Sequence, residues 1–315
     1  MKTVLKLAWR NLWRNTRRTL LTVLAIAFAI ALAVFARGIG FGIYQQSINY
    51  NVMLSLGHIQ IHGDGYWEKR ILRNSFEVDK IDTAWIADLP NVTVAAPKLA
   101  MEALVAIGEE NSSGARIEGV DPVREYGVSI IPTSIVAGRW LEESDSVGIV
   151  IGSVLAKNIE ASVGDTLVYF TQGYYGTMSA GLHPVVGIFR TGSQQIDAAM
   201  AYVPVRQFQR ELDAEGRLTA LAVVVDDYRA VPRTLQTLSD RYGGDEFEVM
   251  DYAELLPDIM SSIAFDKASG VVFIIIIIVI ASFSILETIL MSVMERFHEF
   301  GVMRAIGMRR RMLVG

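Results

Sequence analysis

Cysteine is absent from the 315 residues, which excludes a disulfide framework and any thiolate metal site. The compartment stays open, since a chain of this size can be secreted without bridges. No Gly-Lys pair occurs, so the GxxxxGKS/T loop that would cradle nucleotide phosphates is missing. Histidine is scarce, with four in all, and acid is missing from residues 1–18, where Lys2, Lys6, Arg10, Arg14, Arg17 and Arg18 give +6. Residues 295–315 hold five arginines against Glu295 and Glu299, or +3, which leaves −14 for residues 19–294 when both are taken from the overall −5. Two basic ends around an acidic middle carry a topology signal.

Apolar residues are abundant: 51% of the chain is hydrophobic, high for a water-soluble enzyme. TLLTVLAIAFAIALAVFA, from Thr19 to Ala36, contains no charge. As a helix it would span about 27 Å, close to the roughly 30 Å hydrocarbon core of a bilayer. A second run, Ala268 to Leu286, includes five consecutive isoleucines. Isoleucine favours strands in water, but a lone strand in lipid leaves its backbone unsatisfied, so a helix is expected. A cleaved signal peptide is the competing reading of the first run, because Ala31-Leu32-Ala33 has the small-x-small pattern; the long amphipathic basic segment and the length of the run oppose it.

The expectation is a membrane protein of α plus α/β class. A cytoplasmic amphipathic basic helix covers 1–18, and transmembrane helices cover 19–40 and 267–294. Between them lies an extracytoplasmic mixed α/β core, 41–266, with two subdomains, and a cytoplasmic helix follows over 295–315. Before the first run, Trp9 and Trp13 oppose a basic side that includes Arg14, Arg17 and Arg18, a membrane-interface anchor attracted to anionic lipid. In the core, strands are expected at HIQIH, VTVAAP, DTLVYF, PVVGIF, AMAYVP and LTALAVVVDD, and a strand running into a helix at GIVIGSVLAKNI. Helices are expected at VPRTLQTLSDRY and at YAELLPDIMSSIAF, the latter leading straight into the second run.

Catalytic and metal chemistry find little support. His58, Gln60 and His62 would share a strand face and with Asp64 could hold a metal, but no motif backs this over an ordinary polar face. Ser179 lacks the preceding glycine of a nucleophile elbow. Gly38, Gly40 and Gly42 suit close helix packing better than dinucleotide binding. Glu287 reads either as an interfacial carboxylate or as a polar contact inside a helix bundle.

The most informative stretch is ERFHEFGVMRAIGMRRR, from Glu295 to Arg311. As one helix it would set Glu295 beside Glu299, and Arg296, Phe300 and Arg304 along another line. Charge and aromatic anchors mixed around the circumference suit a groove in a partner protein better than a lipid surface. The stretch resembles the end of the second membrane helix in FtsX-like ABC transporter permeases, a superfamily that includes lipoprotein-releasing and macrolide-efflux permeases. The matching positions are Glu295, Arg296, Glu299, Phe300, Gly301, Arg304, Ala305 and Gly307. LAWRNLWRNTRRTLLTVLAI is similar to that group's first helix, and the stretches from GRWL to AAMAYVPV are similar to its extracytoplasmic core.

The resemblance is strongest to the lipoprotein-releasing permeases. It implies a bacterial inner-membrane permease, not itself an enzyme, whose helix after the second span docks on a separate ATPase subunit carrying ATP and Mg. It also implies a second permease copy or paralogue, a periplasmic carrier or adaptor, no nucleic-acid partner, and lipid-linked or other envelope substrates. An FtsX-like scaffold that switches an outer hydrolase or sensor is the alternative. Members of the group continue into further membrane helices, so the intact protein is expected to be longer.

Overall fold

The structure is a computed structural model that describes residues 16–108 and 111–307. Its described residues divide into a helical unit, residues 16–45 with 258–307, and an α/β unit, within residues 46–257.

In the helical unit, the first apolar run lies in α1 (Thr16–Asn51) and the second in α9 (Pro257–Glu295), each long and apolar enough to cross a membrane. The most apolar window of each has no residue buried inside the protein. Small residues mark where they meet: Ala33, Ala36 and Gly40 of α1 face Ser269 and Gly270 of α9 around a cavity of about 490 Å³. A Cβ on Gly270 would lie 2.8 Å from Nη1 of Arg37, so the guanidinium rests over the glycine. Beside it Tyr44 donates a hydrogen bond to Asp266. Of the three early glycines only Gly40 lines this contact; Gly38 and Gly42 have open space where a Cβ would be.

The α/β unit begins with the last turn of α1, which passes into a π-helical turn, Val52–Leu56. Its strands are β1 (Ile59–Gly63), β2 (Phe76–Glu77), β3 (Val92–Ile107), β4 (Asn111–Val120), β5 (Ile135–Gly138) and β6 (Ile149–Gly152). They continue with β7 (Thr166–Gln172), β8 (Met178–Phe189), β9 (Met200–Pro204), β10 (Arg217–Leu218), β11 (Ala220–Val225) and β12 (Phe247–Asp251). The helices between them are α2 (Tyr66–Lys69), α3 (Thr83–Ala87), α4 (Ser153–Asn158), α5 (Gln194–Ala199), α6 (Val205–Glu211), α7 (Val231–Tyr242) and α8 (Tyr252–Leu255). Beyond α9 comes α10 (Phe297–Ala305).

One ten-stranded sheet runs β12-β1-β11-β3-β4-β9-β6-β8-β5, with β7 pairing both β3 and β8. The pairs are antiparallel except β4–β9 and β6–β8. Through β7 the ladder returns to its start, so β3, β4, β9, β6, β8 and β7 form a closed ring of hydrogen-bonded neighbours. Residues 46–257 cluster as one compact unit. The reason is the 16-residue β3, which pairs with β11 along its first half and with β7 along its second, and so belongs to the ring and to the β11–β1–β12 wing together.

Period-two alternation gives this sheet two unlike faces. One carries Ile59, Ile61, Leu99, Val105, Ile117 and Ile151, all buried, and α3, α4, α6 and α7 pack on it through Ile86, Leu155, Phe208 and Leu238. The approach to α9 differs from expectation. YAELLPDIMSSIAF is not one helix: α8 ends at Leu255, and Leu256 leaves helical geometry at φ −122 and ψ 57. Leu256 precedes Pro257, whose ring disfavours the helical region for its neighbour, and Pro257 then starts α9.

Inside the ring, packing leaves no room at Gly181, where a Cβ would fall 2.3 Å from the Tyr169 ring. Replacing Gly181 by alanine forces that ring to move and should cost about 1–3 kcal/mol. A lowered melting temperature with retained secondary structure is the expected outcome, and an unchanged melting temperature would contradict the packing described.

Candidate functional site

The stretch after the second apolar helix is not one continuous helix. α9 ends at Glu295, and Arg296 sits at φ −102 and ψ 6 before α10 starts at Phe297. Glu295 and Glu299 therefore stand on different helices, which corrects the shared face expected from spacing alone. The break itself is bridged by Arg296 N–H to Val293 O, 3.1 Å, and Phe300 N–H to Arg296 O, 3.1 Å.

Within α10, Phe300 and Arg304 keep their one-turn spacing, as do His298 and Val302. Glu299 lies in the first turn and Arg304 in the last, the arrangement that complements a helix dipole. Gly307 follows at φ +100, a conformation that glycine adopts without steric cost and that stops the helix. A Cβ on Gly301 would meet nothing within 4 Å. Phe297, Val302 and Ile306 are exposed and Phe300 is half-buried. The result is a nine-residue helix with charges and bare apolar side chains together, separated from α9 by the single turn residue Arg296.

Of the other sequence-predicted positions, Arg17 is exposed near the start of α1, Arg18 lies in α1, and Glu287 is exposed on α9. Trp9, Trp13 and Arg14 lie outside the described residues. His58 precedes β1 and its Nδ1 accepts the Val225 N–H at 3.2 Å. Ser179 is a strand residue whose hydroxyl donates to the Glu211 carbonyl.

A polar constellation that spacing did not reveal occupies the other face of the sheet. Gln60 and His62 on β1, Lys98, Ala100 and Glu102 on β3, and Arg116 and Glu118 on β4 all point this way, as the registers Ala100–Glu118 and Glu102–Arg116 require. Lys98 is 1% exposed, and its Nζ donates to Glu118 and to Glu125, each at 3.1 Å. Glu125 comes from the 3-10 turn Arg124–Gly127 and is fully buried. Burial alone would lower the Lys98 pKa, but the attraction of the two carboxylates outweighs it and leaves it raised. Glu125 is raised by burial and by the charge of Glu118, against the pull of Lys98. The signal that could have found this group is Lys98 itself, a lone charge in the apolar stretch VTVAAPKLAM.

Next to it, His62 donates from Nδ1 to the Thr219 carbonyl at 2.8 Å and stacks on Tyr66 at 5.4 Å between ring centroids. Burial pushes its pKa down to about 4, so the ring is neutral near pH 7. Arg70 lies over the Trp67 ring at 3.5 Å and donates from Nε to the Trp67 carbonyl at 3.0 Å. Burial, and then the like charge of Arg116, lowers its pKa. A second buried network lies inside the ring: the Gly148 N–H donates to His183 Nδ1 at 3.3 Å, so Nε2 carries the proton given to Glu211 at 3.0 Å. Tyr169 and Gln207 also donate to Glu211, and with His183 they hold its pKa low against the burial that would raise it.

The sequence family described as MacB-like periplasmic core domain matches residues 19–240, and the one described as FtsX-like permease C-terminal matches residues 271–315. The lipoprotein-releasing system transmembrane protein LolC of Neisseria meningitidis is 23% identical over 244 residues, covering 73% of this chain and 58% of that protein. The macrolide export ATP-binding/permease protein MacB of Hyphomonas neptunium is 26% identical over 242 residues, covering 73% of this chain and 36% of that protein. The chain spans about half the length of the LolC proteins it matches, 58% and 54% in two of them. Among solved structures, the periplasmic region of MacB from Actinobacillus actinomycetemcomitans aligns with a TM-score of 0.47 and 18% identity, over 68% of this chain and 98% of that one.

The buried charge cluster yields two expectations. Lys98→Met leaves two carboxylates facing each other without a cation and should destabilise the α/β unit by about 3–5 kcal/mol, read by hydrogen exchange on the ladder of β3 and β4. Glu125 holds its proton more tightly when folded than when unfolded, so the folded state binds more protons above the ordinary glutamate range. Stability then falls as pH rises from about 4.5 through the raised folded value. Glu125→Gln removes that proton exchange, and its unfolding free energy should change less than the parent's between about pH 5 and about pH 8. Equal slopes in the two proteins would refute the assignment.

Proposed function

The chain belongs to the ABC transporter permease family with a MacB-like periplasmic core and an FtsX-like C-terminal region, and from that premise we propose that it couples a partner ATPase to movement of its α/β unit. The observation that carries this reading is α10: a short separate helix after the break at Arg296, in the FtsX-like region, with Glu299, Phe300, Gly301 and Arg304 suited to a protein groove. ATP and Mg bind the partner, in keeping with the absence of a Gly-Lys phosphate loop from these residues. The name of the MacB relative joins ATP-binding and permease parts, whereas LolC is named as a transmembrane protein of a releasing system.

Both long helices cross the bacterial inner membrane, with the two ends of this segment in the cytoplasm and the α/β unit outside. Support comes from their length, from apolar windows without a buried residue, and from the basic flanks. Bare apolar helix surface of this kind also suits a second permease copy or paralogue packed within the bilayer. The cargo is a lipoprotein or another lipid-linked envelope substrate, in line with what the LolC relatives are named for. A periplasmic carrier or adaptor has a surface to meet on the β7–β8 hairpin, where Phe170, Met178 and Leu182 are exposed beside Leu104 of β3.

Gly301 is a useful test position, because a Cβ there would meet nothing within 4 Å among the described residues. Gly301→Trp and Glu299→Arg should each reduce ATPase copurification from solubilised membranes at least tenfold, with hydrogen-exchange protection of the α/β unit unchanged. Full ATPase recovery and stimulation by both variants would sink the coupling role. Identifying the captured proteins reads the ATPase and the carrier together.

A further inference from the structure

The charged face of the sheet borders a cavity of about 330 Å³ within the α/β unit, a volume in the range of small-ligand sites. Its lining divides into two parts. One part is apolar: Leu54 and Leu56 from the π-helical turn, Leu255 and Leu256 at the end of α8, and Met200 at the start of β9. The other part carries Arg70, Lys98 and Arg116 against a single lining carboxylate, Glu118. Lys98 is already committed to Glu118 and Glu125. Arg116 makes one ion pair among the described residues, a long contact of 3.4 Å to Glu102, whose side chain is 71% exposed. Burial would lower the Arg116 pKa, but Tyr66, Glu118 and Glu102 outweigh that and leave it raised. Among the described residues Arg70 has no carboxylate within ion-pair distance, although its guanidinium is held on the Trp67 ring.

Those two guanidiniums come from different places in the chain, the cap residue that follows α2 and strand β4, and both border the same space. Like charges brought together in a half-buried setting repel, and an anion between them would remove that cost. Guanidinium also presents planar pairs of N–H donors that match a carboxylate or phosphate. An independent sign is His62, 1% exposed, which lines the same cavity. Because its Nδ1 gives its proton to the Thr219 carbonyl, Nε2 is a lone-pair acceptor, and among the described residues it has no partner.

We infer that this cavity is a binding site for a small organic anion, a carboxylate or phosphate monoester with a short apolar body and a hydroxyl or N–H donor. Arg70 and Arg116 take the anionic head, the leucines and Met200 take the apolar body, and His62 Nε2 accepts from the donor. The site requires nothing of α10 or of an ATPase, so it stands or falls apart from the coupling role.

The test uses the full chain in detergent, with calorimetric titration of 2-hydroxyhexanoate, 2-hydroxyhexyl phosphate and hexane-1,2-diol as probes. At least one of the two anions should bind the parent protein, and the neutral diol at least tenfold more weakly. Which anion binds tighter separates a carboxylate ligand from a phosphate one. Arg70→Gln with Arg116→Gln should weaken anion binding at least tenfold at unchanged melting temperature. As a second variant, Gln195→Trp places a large ring at the rim from the exposed face of α5 and should weaken it at least fivefold without touching the charged face. No anion binding by the parent, equal binding of the diol, or undiminished anion binding in both variants would overturn the inference.

Discussion

Lys98 stands in the middle of the longest strand, and the strand's alternation leaves it no choice of side. If Leu99, Met101, Ala103 and Val105 are to enter the apolar core, Lys98 and Glu102 must point to the opposite face. Sliding β3 by one residue would put an ammonium into that core and four apolar side chains outside it. Register is thus fixed by charge as well as by hydrophobicity. Since β3 pairs with β11, β4 and β7, fixing it fixes the ring and the wing together. Glu118 and Glu125 make this placement tolerable by replacing the water that the buried ammonium gives up.

The helical unit obeys the opposite rule. The most apolar windows of α1 and α9 have no residue buried inside the protein, and one group of contacts lies where Arg37, Tyr44 and Asp266 meet the small residues. Helices of this composition need an apolar surround, and small residues are what lets them approach closely there. After α9 the chain turns at Arg296, and α10 begins a new helical phase. A continuous helix would have rotated every later side chain by 100° per residue from Glu295 onward; the turn releases α10 from that register. Whatever α10 grips, it grips with an orientation set by the turn and not by the phase of α9.

Much of this was legible in the sequence. The apolar runs, the hydrophobic strands β6, β7, β9 and β11, and helix α7 follow from periodicity and flanking turn residues. The break at Arg296 was not legible, because Arg and Phe are ordinary helix residues and no proline or glycine marks the point. The break at Leu256 was, since Pro257 announces it, yet the apolar pattern on both sides suggested continuity. Among candidate site residues, Glu299, Phe300, Gly301 and Arg304 could be named from local pattern and resemblance. The Arg70, Arg116 and His62 group could not be, for its members meet only through the pairing of β1, β3 and β4 and the return of α2 over the sheet. Spacing along a chain reports contacts one turn or one strand away, and Arg116 lies dozens of residues from both His62 and Arg70.

The cost of the charged face bears on why it is there. A buried ammonium between two carboxylates is a poor source of stability, because the desolvation of three ionisable groups consumes most of what their attraction returns. Apolar residues of similar volume on the same strands would serve the core as well or better. The register argument accounts for one charge on β3, and the cross-strand pair with Glu102 accounts for Arg116. Neither accounts for Arg70, which adds like charge beside Arg116, nor for the acceptor of His62 that has no donor among the described residues, and an anion in the cavity they line would answer both.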